Sequence, residues 1–304
     1  MRGTVKLLII LIILALLAFL VERSRTRRLS PHLKRLISEK QTEKIDQIVI
    51  SRDSDTSRLV KEDGSWFVEI LGKKKRTDEK KIDRLFGTLD SLRGELVSSS
   101  SERYGEYEVD EKGLRALFLS GEDTVLDIIV GKSGPDFNSS YVRKAGEKGV
   151  YLANRYLRSV FYASPDRWRD RKIVEFDRDS IEEFSVRKGE KFCRVVKEDT
   201  LYSVKEGDCD TSKIRSFLGT WSRLTAVSFD DTISFAAAGL DDPQYSVTLV
   251  PIGGEEVKLK VGEKDDKNRY YLGKEGDDQV YIIAPYTVNR LKELLKEKNG
   301  KKKK

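Results

Sequence analysis

Residues 80–92 read KKIDRLFGTLDSL, and residues 212–224 read SKIRSFLGTWSRL. Aligned at Lys81 and Lys213, 132 positions apart, both give K-I-x-x-[LF]-[FL]-G-T-x-x-x-L. Ile82, Leu85, Phe86, Leu89 and Leu92 recur at helical spacing, and Ile214, Phe217, Leu218, Trp221 and Leu224 repeat it. Such spacing predicts one apolar helical face in each copy. Asp78 and Asp210 stand just ahead of the periodic residues, where helix N-caps belong. Gly87 and Gly219 sit inside the helices, at a cost of about 1 kcal/mol each relative to Ala. Their recurrence predicts a close approach of each helix to a sheet.

The echo runs well beyond the helix. LVKEDGSWFV (59–68) matches VVKEDTLYSV (195–204) at an offset of 136. IIVGK (128–132) matches LKVGE (259–263) at 131, and Val150-Tyr151 matches Val280-Tyr281 at 130. Matches that keep their order along the chain point to an internal duplication. Each copy opens on a strand (QIVIS, EEFSV) and a charged-tip hairpin, in which Leu59, Trp66 and Val68 are candidates for one buried face. The helix comes next, then four more strands and a short closing helix (RYLRSVFY, YTVNRLKELLKE). The expected fold class is α+β: an N-terminal transmembrane helix, then two tandem copies of a mostly antiparallel sheet with packed helices on one face. The boundaries read as anchor 1–22, basic juxtamembrane segment 23–44, first repeat 45–162, linker 163–180, second repeat 181–298 and Lys-rich tail 299–304.

Net charge is +7 over 304 residues, and the basic residues concentrate at the ends. Residues 2–35 carry eight Lys or Arg against Glu22, and residues 296–304 carry six Lys against Glu297. The body between them is mildly acidic. A basic collar beside an apolar run explains the charge better than nucleic acid does, so no nucleic-acid partner is expected. Leu7–Val21, LLIILIILALLAFLV, has no polar side chain. With Gly3–Lys6 it reaches 19 residues, about 28 Å as a helix, the thickness of a hydrocarbon core. No small-residue cleavage site follows, so an uncleaved anchor in the lipid bilayer is the reading. Six Lys or Arg after the run against two before it would keep the body inside, but a large following domain can translocate regardless of flanking charge, so the sequence leaves the orientation open.

Cys193 and Cys209 are the only cysteines. They read equally as one disulfide in an oxidising compartment or as two reduced thiols. The sole histidine, His32, lies outside both repeats, which leaves no material for a His triad or a His-rich metal site there. No phosphate-binding G-x-x-x-x-G-K-[ST] occurs, and GKSGPD (131–136) reads as a hairpin turn. Asp241-Asp242 and Asp265-Asp266 read as solvated turn pairs, although a carboxylate-based hydrolase leaves no local signature. Asn138-Ser139-Ser140 is a formal glycosylation sequon. Trp168, Arg169, Asp170 and Arg171 form the most distinctive short string: a candidate interaction patch, or a joint between the repeats in which Trp168 is a plug and the arginines pair with Asp166, Asp170 or Glu175. No catalytic, cofactor or metal residue is assigned.

Taken together, SWFVE (65–69), KIDRLFGTLDSL, Tyr104-Gly105, IIVGK…SSYVRKAGEKGVYL and WRDRKIVEFDRDSIEEF resemble the bacterial family called domain of unknown function 4340. After Tyr104-Gly105 this chain continues Glu106-Tyr107, where the family tends to Leu-x-x-Pro; Ala238-Gly239-Leu240-Asp241-Asp242-Pro243 fits that pattern better. The resemblance implies a membrane-anchored protein similar to gliding-motility-type ABC transporter auxiliary components, with its body outside the cytoplasm and permease or ATPase subunits as partners. It carries over no catalytic residue and no cofactor. The expected function is a non-catalytic accessory or scaffold protein of the bacterial inner membrane. The alternative is a glycan- or polymer-binding module using Tyr141, Tyr151, Tyr270, Tyr271 and Tyr281.

Overall fold

The computed structural model describes residues 33–296. The anchor, most of the basic juxtamembrane segment, His32 and the Lys-rich tail lie outside them. Two compact units divide the chain between Arg169 and Asp170.

The first unit is one ten-stranded sheet. Its elements are β1 (Lys34–Arg35), α1 (Glu39–Thr42), β2 (Gln47–Arg52), β3 (Asp55–Glu62), β4 (Ser65–Ile70), β5 (Lys73–Arg76) and α2 (Glu79–Asp90). Then come β6 (Arg93–Ser98), α3 (Tyr104–Tyr107), β7 (Leu114–Ser120), β8 (Asp123–Ser133), β9 (Ser140–Lys144) and β10 (Val150–Ala153). The strand order is β1-β6-β10-β9-β8-β7-β2-β3-β4-β5, and every pairing is antiparallel.

The second unit contains β11 (Ile181–Lys188), β12 (Lys191–Glu198), β13 (Leu201–Gly207), α4 (Ile214–Trp221), β14 (Ser228–Asp230), β15 (Tyr245–Pro251), β16 (Val257–Lys264), β17 (Tyr270–Lys274), β18 (Val280–Ile283) and α5 (Pro285–Leu294). Its order, read from the far edge, is β14-β18-β17-β16-β15-β11-β12-β13. Strand for strand this is the order β6-β10-β9-β8-β7-β2-β3-β4 of the first unit. The sequence echo is therefore a repeated topology, to which the first unit adds β1 at one edge and β5 at the other.

The helices of the opening motif form as their spacing demands. Asp78 caps α2 by accepting from the Lys80 N–H at 3.1 Å, and Ile82, Leu85 and Leu89 are buried. They join Ile48, Ile50, Leu59, Val68 and Phe118 in the first core. Asp210 accepts from the Ser212 N–H at 3.0 Å, capping the short 3-10 turn that leads into α4. Ile214, Phe217, Leu218 and Trp221 are buried against the second sheet, with the Phe217 ring 4.7 Å from Phe184. Pro285 at the start of α5 suits a first helical turn, and Val288, Leu291 and Leu294 complete that core.

Several expectations need correction. The described fold is mostly antiparallel sheet rather than α+β, because each sheet carries only a few short helices; the expected transmembrane helix falls outside the described residues. No helix among the described residues is long and apolar enough to cross a membrane. The closing helix expected at RYLRSVFY is only a 3-10 turn, Leu157–Ser159. Val160, Phe161 and Tyr162 are buried in succession there, which no single helical face allows. Nor are the sheets covered on one face alone. Ile128 belongs to the main core of the first unit, while its neighbour Ile129 packs with Tyr107, Val109 and Val150 on the other face. In the second unit Ala238, Leu240 and Val280 form the same small second layer. Finally, a Cβ added at Gly87 or Gly219 would meet nothing within 4 Å. These glycines face solvent, so the close approach to a sheet does not exist.

The close approach lies elsewhere. Gly131 and Gly262, 131 positions apart, occupy matching bulges after β8 Val130 and β16 Val261. A Cβ at Gly131 would fall 2.0 Å from the Tyr107 carbonyl oxygen, and one at Gly262 2.0 Å from that of Ala238. In both repeats the second layer touches the sheet backbone at this glycine.

Candidate functional site

Helical spacing also gives α2 a second stripe. Glu79, Asp83, Phe86 and Asp90 recur at i, i+4, i+7 and i+11, beside the buried face. They form one wall of a groove of about 430 Å³ in the first unit, whose other walls include Thr42 at the end of α1, Glu43 after it, Lys61 of β3 and Trp66 of β4. Trp66 is half-buried, and its ring lies 5.6 Å from that of Phe86, tilted by 42°. The Trp66 carbonyl accepts from the Thr77 hydroxyl at 2.9 Å, which pins β4 where it meets α2. The Thr42 hydroxyl donates to Asp90 at 2.7 Å and ties α1 to α2. The groove thus pairs two aromatic faces with Glu43, Glu79, Asp83 and Asp90 against Lys61. Aromatic faces stack on sugar rings, and carboxylates accept their hydroxyls; the same set also attracts cations. Sequence reasoning passed over this site, although the acidic stripe around Phe86 was readable once Trp66 was placed on the adjoining strand.

Trp168, Arg169, Asp170 and Arg171 straddle the unit boundary, each fixed within its own unit. Trp168 is fully buried in the first core, and its indole N–H donates to the Tyr162 carbonyl at 2.8 Å. Its own carbonyl accepts from the Asp78 N–H at 2.8 Å, beside the cap of α2. Arg169 is 2% exposed and pairs with Asp166 at 3.2 Å. On the far side Asp170 accepts from the Lys172 N–H, and the Arg171 guanidinium donates to the Val227 carbonyl at 2.9 Å. Ile173 and Val174 follow immediately as core of the second unit. Residues 163–180 are thus divided between two cores.

The five tyrosines do not make a surface. Tyr270 and Tyr281 are buried, and Tyr141 is half-buried with its ring 4.6 Å from Tyr107. Asp241 and Asp242 are exposed. Asp265 closes the β16–β17 turn instead, accepting from the Arg269 N–H and guanidinium, both at 2.7 Å. Burial would raise its pKa, but the hydrogen bonds from Arg269 win and hold it below the usual carboxylate value. In GKSGPD, Asp136 accepts from the Asn138 and Ser139 N–H groups at the loop after β8. The Ser139 hydroxyl, with these N–H groups, lowers its pKa. Cys193 of β12 and Cys209, two residues past β13, are joined by a disulfide with Cα atoms 5.8 Å apart. Among the described residues no group of three His, Cys, Asp or Glu is arranged to hold a metal.

The family model described as Domain of unknown function (DUF4340) matches residues 66–234 and residues 200–299. No curated protein and no solved structure matches the chain.

Proposed function

The chain belongs to the family of Domain of unknown function (DUF4340), and from that premise we propose that it is a membrane-attached accessory or scaffold protein of the bacterial envelope, working beside an ABC-type export complex. The observation that carries the reading is the duplicated sheet, one frame used twice, joined through a segment whose conspicuous residues are spent on holding the frame. The apolar run at residues 7–21 supports attachment to the membrane. The disulfide supports an oxidising compartment, and so a body outside the cytoplasm. The transporter as partner rests on the family resemblance. Affinity purification of the full chain in mild detergent tests it: permease or ATPase subunits should co-purify, and recovery of the protein alone overturns the association. A reporter fused after Lys304 should be active only outside the cytoplasm.

The groove favours a second reading, a glycan- or polymer-binding module. It rests on Trp66 and its flanking carboxylates rather than on the tyrosines. Addition of envelope polysaccharide fragments should change tryptophan fluorescence in the wild type and leave Trp66→Phe unchanged. Equal responses in both would remove this reading.

A further inference from the structure

The loop between β8 and β9 contains an unusual choice of residue. Phe137 has φ 57°, in the left-handed region, and is 76% exposed. The duplication supplies the comparison. The matching position 131 residues later is Asn268, at φ 65°. The two turns are built alike: the Phe137 N–H donates to the Gly134 carbonyl at 3.1 Å, and the Asn268 N–H to the Asp265 carbonyl at 3.0 Å. Asn suits this conformation, whereas a bulky apolar residue resists it and gains nothing from packing. Strain held in place by an ordered turn can serve something outside the fold; Leu71 shares it, at φ 49° and 72% exposed, so the surroundings of Phe137 have to decide.

The surroundings indicate what that is. Tyr156, 41% exposed, follows the neighbouring strand β10 by three residues, with Arg155 exposed beside it. One row of paired residues runs Ser140, Ala153, Gly94, Lys34 across β9, β10, β6 and β1. The described chain therefore enters about 14 Å to the side of the strand that Phe137 precedes, through exposed Lys34 and Arg35. Only residues 22–32 separate this entry from the apolar run, a reach of at most about 40 Å. Asp136, the nearby acid, is turned onto the Asn138 and Ser139 N–H groups. A lone aromatic tip with a neighbouring Tyr and basic residues, tethered close to an apolar run, matches the chemistry of a bilayer interface.

We infer that Phe137 inserts into the interface of an anionic lipid bilayer and, with Tyr156, sets the orientation of the first unit on the membrane. The inference rests on the attachment proposed above. Because the native cysteines are disulfide-bonded, Phe137→Cys can be labelled alone with an environment-sensitive dye in the full chain, reconstituted into vesicles containing phosphatidylglycerol. Glu122→Cys, in the exposed β7–β8 turn at the other end of β8, provides the comparison. Quenching by a headgroup-proximal nitroxide lipid should be at least threefold stronger at position 137 than at 122. Equal quenching overturns the inference. Burial of the label in native membranes but not in pure lipid assigns Phe137 to a protein partner and also overturns it. Failure of the protein to float with vesicles overturns the attachment itself, a separate result. Phe137→Asn puts at this φ the residue that the second unit has there, so it should fold normally and let Tyr156→Cys lose its lipid quenching; unchanged quenching there counts against a joint role.

Discussion

Two pairs of glycines repeat in this chain, at intervals of 132 and 131 residues, and their environments are opposite. Gly87 and Gly219 look out from helices into open space, while Gly131 and Gly262 each lie under a carbonyl oxygen of the second layer. Recurrence in the sequence could not tell these cases apart, because a single copy of helix or strand does not reveal what lies above it. The physical consequence is a difference in sign. Gly87→Ala and Gly219→Ala should each stabilise their unit by about 0.5–1 kcal/mol through helix propensity. Gly131→Ala and Gly262→Ala should each cost more than about 2 kcal/mol, since carbonyl and strand must part to admit a methyl group. Chemical denaturation of the four variants decides the matter. A stabilising change at Gly131 or Gly262 would mean that the second layer is not seated on the bulge.

The elements were more legible than their surroundings. Period-two alternation located the main strands, and i, i+3, i+4 spacing picks out the buried stripes of α2 and α4, except that Phe86 is half-buried on the groove. Even β5 was present as a gap in the numbers. The offset falls from 136 at the hairpins to 132 at the helices, so the second repeat lacks four residues there, the length of β5 (Lys73–Arg76). Its Lys74 pairs with Glu62 of β3, whereas in the second unit Glu198 is met by Lys205 of β13 itself. What could not be read was the groove, which needs the turn of α2 relative to β4, a tertiary fact. The caps were readable and can be tested. Asp78→Ala should cost about 1 kcal/mol, the usual loss for a helix cap. At Asp210 the Ser212 hydroxyl, with the Ser212 N–H and nearby Lys213, lowers the carboxyl pKa. A lowered folded-state pKa stabilises the fold above the unfolded carboxylate pKa and loses that effect as pH falls through the folded value. Asp210→Ala should therefore melt lower than wild type at neutral pH, and the gap should close under acid. A gap independent of pH would assign the loss to the cap's shape rather than its charge.

At the scale of the whole molecule, duplication gives each unit its own apolar core but only one of them a covalent clasp. The cluster around Phe118, Leu85 and Trp168 belongs to residues before the boundary, and that around Phe217, Trp221 and Tyr245 to residues after it. Cys193 and Cys209 close a 16-residue separation within the second core alone. A loop of that size is worth about 3 kcal/mol by restricting the unfolded chain. The first unit has no cysteine, and instead has β1 and β5 covering both edges of its sheet. The two copies therefore solve the same stability problem differently, and reduction should act on only one of them. Hydrogen exchange of the full chain, resolved by peptide, should show faster exchange across residues 181–295 when reductant is added, with residues 45–162 unchanged. The Cys193→Ala, Cys209→Ala double variant should reproduce that pattern without reductant. Uniform loosening of both stretches would mean that the units fold as one cooperative body, and the disulfide would then be a clasp for the whole frame.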